Sequence, residues 1–519
     1  MTMRAGRHEA ASPGEAGRRP PTWHHLILLG VLALAAAVRL HWIGLGSLDI
    51  DEAFTVWVAR HPVAGIWSVL ARLDDHPPLY YVMLHWWIHI FGDGVVALRV
   101  PSVLSGLLTV VLAYRLGRMV GGGPLGLLTA FLIALAPDLV TWSQEARMYA
   151  LETLGLAAAM VALARLLVVG GRSRAAWAAY VGGTVAAMWT DYTAALFPVA
   201  VLVALAWVAW TLPRRDRPAF ARRWLGAHLA VAALCVPELF LLVRQVEGGT
   251  VVQWYALNPY APAATAAVGI VLVLLGRAIW RHQPQWVALT TALWVVPIAC
   301  LIAVSLVGPV FVKRAYLWTD VPLALAIAAG LGRIRLPWVR AGLVAMVAAV
   351  AVVGVYAHYR DDVAGDVLRG WDRAAAYVAA RAAPGDLVLF YVPYVQPAFD
   401  YYFAPLHPGV DERGVPADFG ASRTLFPPLA DADAARVPAL VAGHRRVWLV
   451  HGMYPSARVI LDALDGEGRL VDSRTVTDAL KIYLYETRRR RGGHRPASWT
   501  GRRGAGRGGE GVLRAYAPK

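Results

Sequence analysis

Long apolar runs, punctuated by arginines and acids, fill most of the first 357 residues. The first run covers about 25–40. Others fall near 97–118, 124–140, 148–170, 175–190, 193–211, 224–243, 262–280, 286–306, 315–332 and 337–357. A run of roughly 18 or more apolar residues can cross a ~30 Å hydrocarbon core. Lipid offers the backbone no hydrogen-bond partner, so such runs must be helical. The pattern predicts a polytopic α-helical membrane protein with about 11 transmembrane helices.

The segment 46–96 breaks this rhythm. Phe54, Trp57 and Val58 recur at helical spacing, as do Val63, Ile66, Trp67 and Leu70. Short amphipathic helices lying in the membrane interface are the expected result. The run 79–91, LYYVMLHWWIHIF, is apolar but too short to span, and its Tyr and Trp residues suit the headgroup level.

After about 358 the hydropathy changes. Residues 358–487 predict a small α/β domain, with a helix stopped at Pro384-Gly385 and strands at LVLFYV, RVWLVHG and KIYLYE. The tail 488–519, rich in Arg and Gly, reads as basic and disordered.

Composition agrees with the pattern. The 519 residues are 58% hydrophobic, with a mean hydropathy of +0.49, whereas soluble domains are nearer 45–50% apolar. The net charge is +16. Much of it is arginine in short loops between spans, which reads as a topology signal and not as a nucleic-acid surface. With residues 1–24 in the cytoplasm, the loops holding Arg115 and Arg118, Arg172 and Arg174, Arg214 to Arg223, Arg277 and Arg281, and Arg333 to Arg340 all fall inside. Asp49, Asp51, Glu52, Asp74, Asp75, Asp93 and Asp191 fall outside. An odd number of spans sends the α/β domain outside as well. The first run follows a basic N-terminus and reads as an uncleaved span in preference to a signal peptide. Cys235 and Cys300 lie in apolar segments and read as small core residues.

Candidate chemistry gathers on the outer face. Asp51 and Glu52 directly follow the first span. Alone they fit helix capping, with Asp49 as the N-cap; they equally fit a general base acting on an acceptor hydroxyl or amine. LDDHPPLYY adds Asp74, Asp75 and His76 on the same loop, ahead of two prolines that restrict the backbone. His85 and His89 share a helical spacing but lack a third ligand, and read as interfacial. Arg147 and Tyr149 open one span and Lys313, Arg314 and Tyr316 another, with Asp191 and Tyr192 at the same level and Glu152 one turn deeper. Cations on the outer face run against the positive-inside pattern, which favours a functional role, and guanidinium groups suit phosphate. The combination predicts an enzyme acting on a lipid phosphate. Acids would activate the acceptor, while cations hold the phosphate and stabilise the leaving group.

The stretch DEAFT…DDHPPLYYVMLHWW…FGDGVVALRVPSVLSGLLTVVLAYRLGR…SQEARMYAL resembles the dolichyl-phosphate-mannose–protein mannosyltransferase-like membrane glycosyltransferases of the GT-C fold, related to lipid A aminoarabinose transferases. The resemblance is specific over about 48–155, weaker around 190–198 and 311–335, and faint elsewhere. It implies a GT-C bundle and sugar transfer from a polyprenyl-phosphate donor to an extracytoplasmic acceptor, a lipid, polysaccharide or protein, in a bacterial plasma membrane. It maps the catalytic carboxylate onto Asp51, with Glu52 beside it, and the HPP motif onto His76, Pro77 and Pro78. Its phosphate-contacting positions map onto Arg147, Tyr149, Arg314 and Tyr316. KRAYLW here replaces the family's RY-YL spacing, which leaves the choice between Lys313 and Arg314 open. Ala194 stands where some relatives carry histidine. Metal use varies in the fold; Asp51, Asp75 and His76 are candidate ligands for a divalent ion but form no complete set. Two other readings remain: a flippase of lipid-linked sugars, or an α/β binding module on a membrane anchor. Polar residues on one face and the lack of an internal repeat weigh against the first. The number of spans weighs against the second.

Overall fold

The computed structural model describes residues 22–248, 284–306, 311–365, 369–406, 409–421, 431–452 and 457–488. Contacts divide the chain into two units. Met1–Leu45, Val58–Glu247 and Pro259–Asp362 form the first; Gly46–Trp57, Gly248–Asn258 and Val363–Lys519 form the second.

The first unit is helical. Seven helices among the described residues are long and apolar enough to cross a membrane: Trp23–Leu40, Val95–Gly121, Tyr149–Val168, Tyr192–Thr211, Gln285–Ser305, Lys313–Gly332 and Pro337–Arg360. Arg217–Leu234 and Val236–Glu247 form a pair bent by 53°, which would make an eighth span if counted as one. The runs near 124–140 and 175–190 fold as shorter helices, Gly123–Leu135 and Arg174–Met188. Pro137 ends the first of these early, because the residue before a proline is held in an extended conformation. A helix of 13 residues reaches only about 20 Å. The run near 262–280 and the tail beyond Arg488 lie outside the described residues.

Helices Val95–Gly121 and Gly123–Leu135 turn back on each other at Gly122, whose φ of 88° favours glycine. Their backbones then meet closely. A Cβ at Gly117 would sit 2.8 Å from the Cα of Gly126, so only glycine fits there. Arg39, fully buried at the end of the first helix, donates to the carbonyls of Ile133 (3.2 Å) and Ala134 (2.8 Å). It thereby caps the C-terminus of Gly123–Leu135, where the helix dipole favours a cation. Gln144 Nε2 in turn donates to the carbonyls of Arg39 (3.1 Å) and His41 (2.8 Å). The segment that leads to Arg147 is thus fastened to the end of the first span.

The short helices expected in this segment form at Val63–Leu73 and Leu79–Phe91. Ile66, Val69, Leu70 and Leu73 are the buried face of the former. His85 Nδ1 pairs with the Ala59 carbonyl and His89 Nδ1 with the His85 carbonyl, each at 2.8 Å. Backbone bonding explains the two histidines without a metal.

The second unit is built on a five-stranded sheet in the order β2-β1-β3-β5-β4, with β1 Leu387–Tyr391, β2 Asp411–Gly414, β3 Arg446–Gly452, β4 Gly468–Thr477 and β5 Leu480–Thr487. β1 pairs in parallel with β2 and β3; β5 pairs antiparallel with β3 and β4. β1, fully buried, is an unbroken apolar run, as expected for a central parallel strand covered on both faces. β2, polar and mostly half-buried, and β4, largely exposed, lie outside the three strands that the sequence pattern predicts. The chain leaves β1 toward one edge of the sheet and β3 toward the other, so the carboxyl ends of β1 and β3 flank a topological switch point.

Candidate active site

In the first unit the geometry starts with the loop 74–76. The Asp74 carboxylate, buried, is the hub. His76 Nδ1 donates to it at 3.0 Å, the Asp75 amide donates at 2.9 Å, and the Tyr81 hydroxyl makes a short hydrogen bond to its other oxygen. His76 Nδ1 also lies 2.9 Å from Asp75 Oδ1. Burial disfavours the imidazolium, but Asp74 and Asp75 outweigh it and push the pKa of His76 well above its ordinary value. Burial likewise disfavours ionised Asp74, yet His76, Arg147 and the Tyr81 hydroxyl hold it below the usual carboxylate range. The loop is therefore a carboxylate–imidazolium–carboxylate cluster. Its ligand-type atoms lie within 4.8 Å of one another. Asp74 thus joins Asp75 and His76 as a donor for a divalent ion, and an ion there would have to displace the His76 proton.

Arg147, buried, lies beside this loop at the start of helix Tyr149–Val168. Its guanidinium carbon is 5.7 Å from the centre of the Tyr149 ring, and that of Arg314 is 5.9 Å from the same ring. Trp142 packs edge-on against Tyr149 at 4.4 Å and the His76 ring stands 6.4 Å away. Two guanidinium groups thus share one aromatic ring at a helix N-terminus, a combination suited to a phosphate. Lys313 is arranged differently. Its Nζ lies 2.9 Å from Asp320 and 3.3 Å from Asp138, and Tyr316 lies under it at 5.0 Å.

Asp191 and Tyr192 are each tied to neighbouring elements. Asp191 Oδ1 accepts from the Thr193 amide (2.8 Å) and hydroxyl (2.7 Å), capping the turn Tyr192–Ala195. Thr193 also donates to buried Glu152 at 3.3 Å. Tyr192 donates to Gln245 Oε1 at 2.8 Å, and Gln245 Nε2 donates to the carbonyls of Leu70 (3.3 Å) and His76 (3.2 Å). Neither Gln245 nor Tyr81 stands out in the sequence: Gln245 sits between Arg244 and Glu247 near a helix end, and Tyr81 is one of two adjacent tyrosines in an apolar helix.

In the second unit, Asp49 and Glu52 form a capping box at the start of helix Ile50–Ala59. Asp49 Oδ1 accepts from the Glu52 amide at 2.6 Å, and Glu52 Oε2 accepts from the Asp49 amide at 3.1 Å. Asp51 is outside that exchange and half-buried. One of its oxygens accepts from the Tyr394 hydroxyl at 2.9 Å. The capping role expected of Asp49 is present, and Glu52 is its reciprocal partner.

Residues 75–241 match the sequence model of the dolichyl-phosphate-mannose-protein mannosyltransferase family. In three dimensions the chain is similar to ArnT from Cupriavidus metallidurans bound to undecaprenyl phosphate. The TM-score is 0.60 at 15% identity, over 89% of this chain and 98% of that one. The chain has the GT-C fold. A second GT-C neighbour is the apo oligosaccharyltransferase of Archaeoglobus fulgidus, with a TM-score of 0.51 and 13% identity over 77% of this chain and 65% of that one. No curated protein matches the chain by sequence. The family match covers part of the helical unit, and the GT-C fold extends over most of the chain.

Proposed function

We propose that this chain is a glycosyltransferase, which moves a sugar from a polyprenyl-phosphate donor to an acceptor outside the cytoplasm of a bacterial plasma membrane. The acceptor is a lipid, polysaccharide or protein hydroxyl or amine. Arg147 and Arg314 hold the donor phosphate, with Tyr149 between them. Asp51 takes the acceptor proton as the acceptor oxygen or nitrogen bonds to the anomeric carbon. The bond from that carbon to the phosphate oxygen breaks, and the polyprenyl phosphate leaves with the electron pair, its charge balanced by the two guanidinium groups. Single-step displacement inverts the anomeric centre. The observation that carries the reading is the pair of guanidinium groups on one Tyr149 ring, at 5.7 and 5.9 Å. Glu52 supports Asp51 through the capping box, and Asp75 and His76 contact the donor or acceptor head.

The test compares envelope lipids and glycans by mass spectrometry in cells with and without the chain, then with Asp51→Asn. Loss of one sugar mass from one acceptor in both strains, with the variant still inserted in the membrane, supports the reading. Full modification in the variant overturns the role of Asp51. Transport of a lipid-linked sugar across proteoliposomes with no glycosidic bond formed would favour a flippase.

A further inference from the structure

The residues Gly46–Trp57 group with the α/β domain, and the hydrogen bonds show how. The Leu48 amide donates to the Tyr402 hydroxyl at 2.8 Å, and the Gly370 amide donates to Ser47 Oγ at 2.8 Å. Phe419 packs edge-on against Trp57 at 4.8 Å. Each contact fixes the backbone or the apolar face of the segment. The Tyr394 contact differs, because it reaches the carboxylate of Asp51 itself.

Tyr394 stands just past the carboxyl end of β1, at the switch point between β1 and β3. Ligands of open α/β sheets bind in that crevice; here helix Ile50–Ala59 lies against it. The Tyr394 ring is buried, 4% exposed, and packs on Phe54 at 5.4 Å. Its hydroxyl therefore has a fixed position. A carboxylate one hydrogen bond away from a fixed donor keeps one oxygen committed and its other oxygen turned to a defined side. Phe54 and Asp51 are one helical turn apart, so the same ring contacts both and sets the rotation of the helix as well as of the carboxylate.

We propose that Tyr394 is the positioning residue for Asp51 and that the α/β domain contributes to sugar transfer by holding and orienting this helix. The inference rests on the role of Asp51 proposed above. Tyr394→Phe keeps the ring against Phe54 and removes the donor to Asp51. Tyr377→Phe, in the same domain, removes a hydroxyl that bonds Asp472 and serves as the control. The full chain is reconstituted in liposomes with a native membrane extract as acceptor. Undecaprenyl-phosphate-linked hexoses and pentoses are the donors, and released undecaprenyl phosphate is the readout.

The expected result is a kcat lower by about 10- to 100-fold in Tyr394→Phe, the range for one displaced catalytic group, with KM for the donor unchanged. Tyr377→Phe should match wild type. Hydrogen exchange over residues 50–57 reports whether the helix stays folded. An unchanged kcat in Tyr394→Phe overturns the proposal when Asp51→Asn is inactive. Activity in Asp51→Asn overturns the underlying reading instead. A fall in kcat with a matching rise in KM, or faster exchange throughout the helix, assigns Tyr394 a structural role and also overturns the proposal.

Discussion

Lys313 Nζ lies 2.9 Å from Asp320 Oδ1, with Asp138 at 3.3 Å on its other side. A lysine held by two carboxylates has little charge left for a third anion. Its neighbour Arg314 faces the Tyr149 ring that Arg147 also faces. The local geometry therefore favours Arg314 as the phosphate cation and Lys313 as a brace for the start of span Lys313–Gly332. Arg314→Ala is expected to raise KM for a polyprenyl-phosphate donor by roughly 10- to 100-fold, the equivalent of one charge-assisted hydrogen bond. Lys313→Ala is expected to lower thermal stability and leave KM near wild type, because Asp320 loses its counter-ion. Donor kinetics and melting of the purified variants separate the two. A KM effect confined to Lys313→Ala would reverse the assignment.

Asp74 and Asp75 are neighbours in sequence with unequal tasks. Asp74 is buried and accepts from His76, Tyr81 and the Asp75 amide; the Asp75 side chain is 28% exposed. Asp74→Asn should destabilise the chain by about 1–3 kcal/mol, since a hydrogen-bonded charge and its imidazolium partner lose each other. Asp75→Asn should cost turnover and little stability. Melting and transfer assays on both variants check this, and the same stability for the two would argue against Asp74 as the hub.

Gln245 offers a test from outside the loop. It joins Tyr192 to the His76 carbonyl, so it holds the loop without contributing a charge. Gln245→Leu keeps the volume and removes every bond. Transfer is expected to fall about 10-fold, in line with a loop displaced by under 1 Å. Tyr192→Phe, which removes one of the bonds, should fall less. Equal, full activity in both would show that the loop holds itself.

Much of the helical frame was legible in hydrophobic periodicity, down to the bounds of Leu79–Phe91, because a helix that buries or lipid-exposes one face must show it in spacing. Run length was less informative. The runs near 124–140 and 175–190 look like spans, but proline, glycine and close backbone packing shorten them into the helices Gly123–Leu135 and Arg174–Met188. In the α/β domain the buried strands β1, β3 and β5 announce themselves as apolar runs. β2 and β4 do not, since their pairing is decided by the neighbouring strand and not by their own side chains. Arg147 and Asp51 were legible because a charge at a membrane edge is conspicuous. Tyr81, Gln245 and Tyr394 were not. Their importance lies in partners at distant sequence positions, and tyrosine in an apolar stretch reads as packing.

Asp49 gives the last prediction, one of pH. Burial, then Glu52 and Asp51, push its pKa up to about 7, against the opposing pull of Arg369 and its bond from the Glu52 amide. Unfolded, the group would titrate near 4. The folded chain therefore keeps a proton that the unfolded chain has lost. Its contribution to stability is complete below about pH 4 and declines as pH rises through about 7. The full span of that decline is on the order of a few kcal/mol. Asp49→Asn preserves an oxygen to accept from the Glu52 amide but has no proton to lose. Between about pH 4 and 7 the melting temperature of wild type should fall relative to that of the variant, and the variant should be the more stable of the two above pH 7. Melting curves of both proteins across that range decide the matter. A difference in melting temperature between the two that stays constant over the same interval would show that Asp49 is ionised in the folded chain throughout.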